Sequence, residues 1–230
     1  MSFIVSALWL YPVQSMRGQE MDALDYAADG LRLDRWFGIL DVETQKMVGS
    51  AGGKRNWRAL VTWDAQLVTP LDATEPKVEI RFPEGGSLVS DDLEIDRKLS
   101  ERLERAVEFR GAGGARAPKR YELAPCHLLT SATLRRLNRS YPEGEFAPER
   151  FRPNVLLDCG DEVGFIEQLW LGKEIAMSSG AVLEGTEDCQ RCALTTRAQG
   201  GLPSDPKILH TVMLENNTNA GIYARVAKPG

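Results

Sequence analysis

Hydrophobic and polar positions alternate over many short stretches of this chain, and a few stretches carry the longer period of helices. Ser2 to Leu10 alternates and is rich in Ile, Val, Phe and Trp, which predicts a strand. Met21 to Tyr26 is a second candidate strand. After the Asp29-Gly30 turn signal, Leu31 to Asp41 predicts a strand pair entering the core. β character resumes over Trp57 to Leu67, Val78 to Phe82 and Leu93 to Ile95. Leu99, Leu103, Ala106 and Val107 recur at helical spacing and predict a helix within Arg97 to Phe109. Thr130 and Ser131 are natural N-caps for a helix from Ala132 to Asn138. Val155 to Asp158, Glu174 to Ser178, Ala181 to Gly185 and Asn219 to Val226 predict further strands. Phe165 to Trp170 predicts a short helical turn, and Ser204-Asp205-Pro206 the start of a helix through Leu214. Many short strands with a few helices predict a β-rich α+β chain, with a barrel as one way of arranging the strands.

Composition narrows the function classes. Hydrophobic residues make up 43% and charged residues 27%, the balance of an ordinary globular protein. No apolar run approaches the roughly 18 residues of a membrane span. The apolar N-terminus lacks a basic leader and runs into Tyr11-Pro12, so it reads as a strand and not a signal peptide, and a cytoplasmic location is expected. A net charge of −5 argues against nucleic acid as the main partner. Gly49 to Asn56 is Gly-rich and basic but lacks the Gly-Lys-Ser/Thr ending of a phosphate loop, so a flexible hairpin is the plainer reading. Gly111 to Lys119 is Gly/Ala-rich and marks the expected boundary, dividing the chain into 1–115 and 116–230.

The chemistry concentrates in Cys189-Gln190-Arg191-Cys192-Ala193-Leu194-Thr195-Thr196. The other cysteines are Cys126 and Cys159, and without an export signal the four are expected as core, metal-binding or catalytic thiols and not as a disulfide framework. Structural zinc normally takes four ligands, and neither Cys126, Cys159 nor the two histidines, His127 and His210, has the spacing of a second pair. A thioredoxin-like pair sits at a helix N-terminus, whereas the residues after Cys192 look extended. Two plain core or surface cysteines remain a possible reading. The remaining alternative is a single thiolate on a soft, high-valent metal whose other ligands belong to a cofactor. Arg191 beside the thiols favours the ligating form, and Arg35, Arg152 and Arg191 suit bidentate binding of phosphate or carboxylate.

Taken in order, these motifs resemble the MOSC family (molybdenum cofactor sulfurase C-terminal domain), in the branch carrying an N-terminal MOSC-associated β domain. Tyr11-Pro12-Val13-Gln14-Ser15 is similar to the family's Tyr-Pro-Val/Ile-Lys-Ser loop. Gly30-Leu31-Arg32-Leu33-Asp34-Arg35 is similar to its Gly-Leu-x-x-Asp-Arg, and Leu128 to Leu134 to its Leu-x-x-Glu-Ala-Ser-Leu. Phe151-Arg152-Pro153-Asn154-Val155 and Cys189 to Thr196 follow its Phe-Arg-Pro-Asn and Cys-x-Arg-Cys-x-x-Thr-Thr elements, and Gly221-Ile222-Tyr223 a Gly-x-Tyr element. The relatives include the mitochondrial amidoxime-reducing component and bacterial reductases of N-hydroxylated bases.

The resemblance implies an N-terminal β domain followed by a MOSC β-barrel, and a molybdenum–pyranopterin cofactor held by one thiolate. By motif position that ligand is Cys192, with Cys189 as the alternative. Gln14, Ser15, Arg35, Arg152, Gln190, Arg191 and Tyr223 are the implied cofactor contacts, the arginines toward its phosphate. The implied activity is reduction of small N-hydroxylated or related N/S-oxygenated molecules. Electrons would come from a separate ferredoxin, flavodoxin or cytochrome-type protein, because the chain lacks a plant-type four-cysteine iron–sulfur motif. The alternative is a sulfur-carrier or cofactor-handling module without reductase activity. Two departures stand out. Gln14 replaces the family's lysine, with Arg17 near enough in sequence to supply a charge, and Thr130-Ser131-Ala132-Thr133 lacks the family's glutamate.

Overall fold

The computed structural model describes residues 3–27, 30–49, 55–111 and 126–230. The Asp29 turn position, most of the Gly-rich basic stretch at 49–56 and most of the boundary stretch at 111–119 lie outside them. Contacts divide the chain into two compact units. One comprises Met1–Trp9, Glu20–Arg32 and Tyr121–Gly230, and the other comprises Leu10–Gln19 and Leu33–Arg120.

The first unit is built on a seven-stranded sheet. In spatial order its strands are Glu174–Ala176, Val182–Gln190, Asn219–Lys228, Cys126–Thr130, Val155–Asp158, Ile4–Leu10 and Gln19–Glu20. Cys126–Thr130 and Val155–Asp158 pair in parallel, and the connection between them carries the helices Ser131–Ser140 and Pro148–Phe151, as a parallel pair requires. The chain's first strand pairs antiparallel with Val155–Asp158, Leu8 opposite Val155. Among the described residues the order is open, with Glu174–Ala176 and Gln19–Glu20 at its edges. All five residues of Cys126–Thr130 are buried because the strand has apolar layers on both faces. Leu128 packs with Val155, Leu157, Leu183 and Ile222, while Leu129 packs with Leu137, Phe151, Ile208 and Val212.

The second unit has its own core of Val13, Met16, Phe37, Ile39, Leu60, Trp63, Ile80, Leu99 and Leu103, among others. Around it lie two three-stranded sheets, Val107–Gly111 with Phe37–Asp41 and Lys46–Met47, and Asp64–Leu67 with Val78–Arg81 and Ser87–Val89. The β-rich α+β class expected from the sequence is the class the chain adopts.

Local differences have local causes. Trp57 to Thr62 lies in a 3₁₀ helix, Arg55–Thr62, because the buried residues Trp57, Leu60 and Val61 recur at helical and not strand spacing. Leu93 is wholly exposed and pairs with nothing in a sheet, whereas Ile95 opens the helix Ile95–Leu103. That helix stops at Glu104, in the left-handed region at φ 49°, and Val107 therefore begins a strand. Ala193–Thr196 forms a short 3₁₀ turn and is not extended. Thr130 is the N-cap expected, its side chain accepting from the Thr133 amide.

Candidate functional site

The strand Val182–Gln190 carries the first cysteine, and its pairing to Asn219–Lys228 loses register between Gly185 and Glu187 and again between Asp188 and Gln190. Irregularities of this kind re-aim side chains. Cys189 sits within the second one and is fully buried, whereas Cys192, two residues past the strand end, is exposed. Cys126 and Cys159 are buried, and burial together with the nearby Glu167 pushes the Cys159 thiol up to about 11.

Arg191 links the two environments. Its Nη1 donates to Cys189 Sγ at 2.6 Å, its Nη2 to the Phe151 carbonyl at 2.7 Å and its amide to the Thr218 carbonyl at 2.7 Å. The guanidinium also lies 5.6 Å from the centroid of the Phe151 ring. His127 and Tyr223 complete the surroundings of the buried thiol. They face each other across the paired strands, with ring centroids 5.6 Å apart. Burial alone would raise the Cys189 thiol. The Arg191 guanidinium, the His127 imidazole and a hydrogen bond from Tyr223 outweigh it and bring the thiol down to about 6.

The Phe-Arg-Pro-Asn segment supports this cluster from below. Arg152 is buried and sits at φ 55°, capping Pro148–Phe151. Its carbonyl oxygen lies 3.2 Å from His127 Nδ1, and since a carbonyl only accepts, Nδ1 carries a proton. Asn154 is fully buried and ties three strands together. Its Oδ1 accepts from the His127 amide at 3.0 Å, its amide donates to the His127 carbonyl at 2.8 Å, and its Nδ2 donates to the Trp9 carbonyl at 3.2 Å. Gly221, at φ 84°, leaves the room His127 occupies: a Cβ there would come within 2.2 Å of Nε2.

Two further buried charged groups stand behind the site. Glu167 accepts from the hydroxyls of Thr130 and Thr133, each at 2.6 Å, and from the Gly221 amide at 3.1 Å. Burial pushes its carboxyl up despite these donors. Arg150 is fully buried against the segment that follows Cys192. In that segment Thr195 returns both its amide and its hydroxyl to the Cys192 carbonyl, at 3.1 and 3.0 Å.

The structure thus brings Cys189, Arg191, Arg152 and Tyr223 into one neighbourhood of the first unit, with Cys192 and Gln190 on its exposed side. Gln190 reaches Thr218 Oγ1 at 3.3 Å. Gln14, Ser15 and Arg35 belong to the second unit. There Gln14 is buried, its backbone amide donating to the Phe37 carbonyl at 2.8 Å while its Oε1 has no hydrogen-bond partner among the described residues. Ser15 takes a left-handed turn at φ 72°. Arg35 pairs with Asp34, stacks 5.0 Å from the Tyr11 ring centroid and donates its amide to the Tyr11 carbonyl, so it is part of a packed corner and not a loose surface pair. Arg17, offered as a substitute charge for Gln14, is paired with Asp64 at 2.9 Å. From sequence His127 enters only as a candidate zinc ligand and Asn154 only as part of the Phe-Arg-Pro-Asn motif, and neither they nor Arg150 and Glu167 are given a role in the site. Arg150 and Asn154 flank the Phe-Arg-Pro segment and share its signal, whereas nothing in the sequence around Glu167 marks it for burial.

The donor set can be tested against the implied cofactor. Among the described residues no three of His, Cys, Asp and Glu are grouped to hold a metal ion. The exposed Cys192 is a single soft donor, the kind of ligand that suits a metal whose other ligands a pterin would supply. Arg191 Nε, in the residue next to Cys192, is buried and has no hydrogen-bond partner among the described residues. These features fit the group. No helix among the described residues is long and apolar enough to cross a membrane.

Residues 120–230 match the family model described as MOSC domain. Among solved structures the chain is similar to the YuaD protein of Bacillus subtilis, at 14% identity and a TM-score of 0.53, covering 100% of this chain and 90% of that one, which is a likeness of fold. A search of the curated proteins finds no match.

Proposed function

Since residues 120–230 are a MOSC domain, we propose that this chain binds a molybdenum–pyranopterin cofactor through Cys192. In this reading it reduces small N-hydroxylated or related N/S-oxygenated molecules with electrons from a separate donor protein. The observation that carries the reading is the unequal placement of the two cysteines: Cys192 is exposed and open to an incoming metal, while Cys189 is buried and engaged by Arg191. When bound, the cofactor supplies the two-electron chemistry at its metal.

The chain's own residues supply position and charge. Cys192 offers the soft donor. Arg191, held by Cys189 Sγ and the Phe151 carbonyl, keeps a fixed positive charge beside that donor, where an anionic cofactor is favoured. Arg152 and Asn154 hold His127 and through it the floor of the site. Tyr223 lies beside the buried thiol on the neighbouring strand.

The test is elemental analysis of protein purified from a host that makes the cofactor, followed by turnover of an N-hydroxylated amidine with a chemical or protein electron donor. Equimolar molybdenum in the wild type, lost in Cys192→Ser, together with donor-dependent turnover, supports the reading. Absence of molybdenum from the wild type in a cofactor-overproducing strain overturns it. A persulfide found by mass on Cys192 in that protein would favour the sulfur-carrier alternative.

A further inference from the structure

Arg150 is the least expected charge in the first unit. It is fully buried, and its hydrogen bonds run to backbone carbonyls, with Asp205 and Glu145 near enough to favour its charge. Nε donates to the Glu145 carbonyl at 2.7 Å. Nη1 donates to the carbonyls of Thr195 at 3.1 Å and Arg197 at 3.3 Å, and Nη2 donates to that of Pro203 at 2.8 Å. Three of these four acceptors lie on the single segment that leaves Cys192.

That segment is irregular, and further hydrogen bonds in it are local: Gln199 Nε2 donates to the Leu194 carbonyl at 3.3 Å, and Ser204 Oγ and the Asp205 amide donate to the Thr196 carbonyl at 3.2 and 2.8 Å. It contains one short 3₁₀ turn, Ala193–Thr196, a bridge between Gln199 and Leu202, and two glycines in the left-handed region, Gly200 and Gly201. A strand or long helix would satisfy its own carbonyls, whereas an irregular segment cannot, and a planar guanidinium with five donors in a fixed fork can hold several at once. Burial disfavours its charge even with Asp205 and Glu145 nearby, so its place here is better explained by what it orders than by what it adds to the fold.

Resting on the reading of Cys192 as the ligand, we propose that Arg150 is a positioning residue for the site: its guanidinium locks residues 195–203 and so fixes the turn that presents the Cys192 thiol. The link is continuous in the structure, because the Thr195 carbonyl accepts from Arg150 while the Thr195 amide and hydroxyl both donate to the Cys192 carbonyl.

The experiment compares wild type, Arg150→Lys and Arg150→Met in the full chain by peptide-resolved hydrogen exchange and by the rate of Cys192 alkylation with iodoacetamide, without added cofactor. Removing several buried hydrogen bonds should speed exchange across 193–203 roughly tenfold or more in Arg150→Met, with the sheet amides unchanged. Cys192 alkylation should speed up about threefold or more as the turn opens, and Arg150→Lys should recover part of both. Unchanged exchange in the segment overturns the proposal. So does acceleration spread evenly over the sheet, or a segment that loosens while Cys192 reacts at the wild-type rate. If Arg150→Met does not fold, the Arg150→Lys comparison carries the same outcomes. Neither readout needs molybdenum, so a wild type that takes up no metal defeats the functional reading and leaves the hold of Arg150 on the segment to be judged by exchange and alkylation. If the functional reading stands, molybdenum content should fall in the same order as the segment's protection.

Discussion

Arg191, half-buried, donates through Nη1 to the buried Cys189 Sγ at 2.6 Å, inside a motif whose other cysteine is exposed. The two thiols of Cys-x-Arg-Cys are therefore chemically distinct. One accepts a hydrogen bond from the guanidinium two residues on, and the other is exposed.

This pairing makes a pH-dependent contribution to stability whose sign follows from linkage. Burial would raise the Cys189 thiol, but Arg191, His127 and Tyr223 bring it to about 6, below an ordinary thiol. Between about pH 6 and the ordinary thiol value, the unfolded chain binds a proton that the folded chain has released, so stability rises with pH across that window. The contribution is fully present above the unfolded value and is lost as pH falls through the folded one. Arg191→Gln should remove much of this slope and lower the thiolate absorbance of a Cys192→Ser background at pH 7.5. An unchanged ultraviolet titration in the Arg191 variant would show that another group sets the thiol.

The two cysteine variants should also part company in stability. Cys192 is exposed, so Cys192→Ser should change the melting temperature little, within the roughly 0.5 kcal/mol of ordinary surface substitutions. Cys189→Ala leaves Arg191 Nη1 without its partner in a buried place and should cost about 1–3 kcal/mol. Denaturant titration of both proteins decides it, and equal losses would contradict the assigned environments.

Gly221 makes a sharper steric prediction. An added Cβ meets His127 Nε2 at 2.2 Å and the Leu128 carbonyl at 2.7 Å, and the residue already sits at φ 84°. Neither the sheet backbone nor an imidazole tied to Arg152 can retreat freely. Gly221→Ala should cost about 2–4 kcal/mol from overpacking and backbone strain together. A variant with wild-type stability by chemical denaturation would mean that the His127 ring is free to move aside.

Much of this arrangement was legible before the structure because strands with both faces buried leave continuous apolar runs. Val155-Leu156-Leu157 announces itself, and so does the Thr130 cap before the helix, whereas the strand Cys126–Thr130, just as apolar at Leu128-Leu129, was not assigned from sequence. Within Trp57 to Leu67 the strand is real only over Asp64–Leu67; Trp57 to Thr62 misled because Trp, Val and Thr favour strands, while burial of Trp57 and Leu60 in the second unit's core imposed a helical turn. The motif marks Cys189 and Cys192 together, with Cys192 the expected ligand. Their unequal burial was not legible, since it depends on a lost register between Asp188 and Gln190 that no spacing encodes. Glu167 was invisible because its partners, Thr130, Thr133 and the Gly221 amide, come from three separate elements.

That carboxyl supplies the last prediction. Burial raises Glu167 above the ordinary carboxylate range, so in the folded protein it keeps its proton at a pH where the unfolded chain has lost it. Stability from this group is fully present below the ordinary value of 4.5 and falls as pH rises toward the folded value. Glu167→Gln replaces the carboxyl with a neutral group of the same shape and cannot titrate. The variant should therefore lack this part of the wild type's decline in melting temperature above pH 4.5, while the wild type and the variant lie close together at pH 4. Because Glu167 also holds the Gly221 amide that borders His127, ionising it should loosen the floor of the site before the protein unfolds. Hydrogen exchange at Gly221, followed from pH 5 to 8 and corrected for intrinsic rates, should rise in the wild type and stay flat in Glu167→Gln. Parallel curves for the two proteins would show that the carboxyl stays in one protonation state throughout.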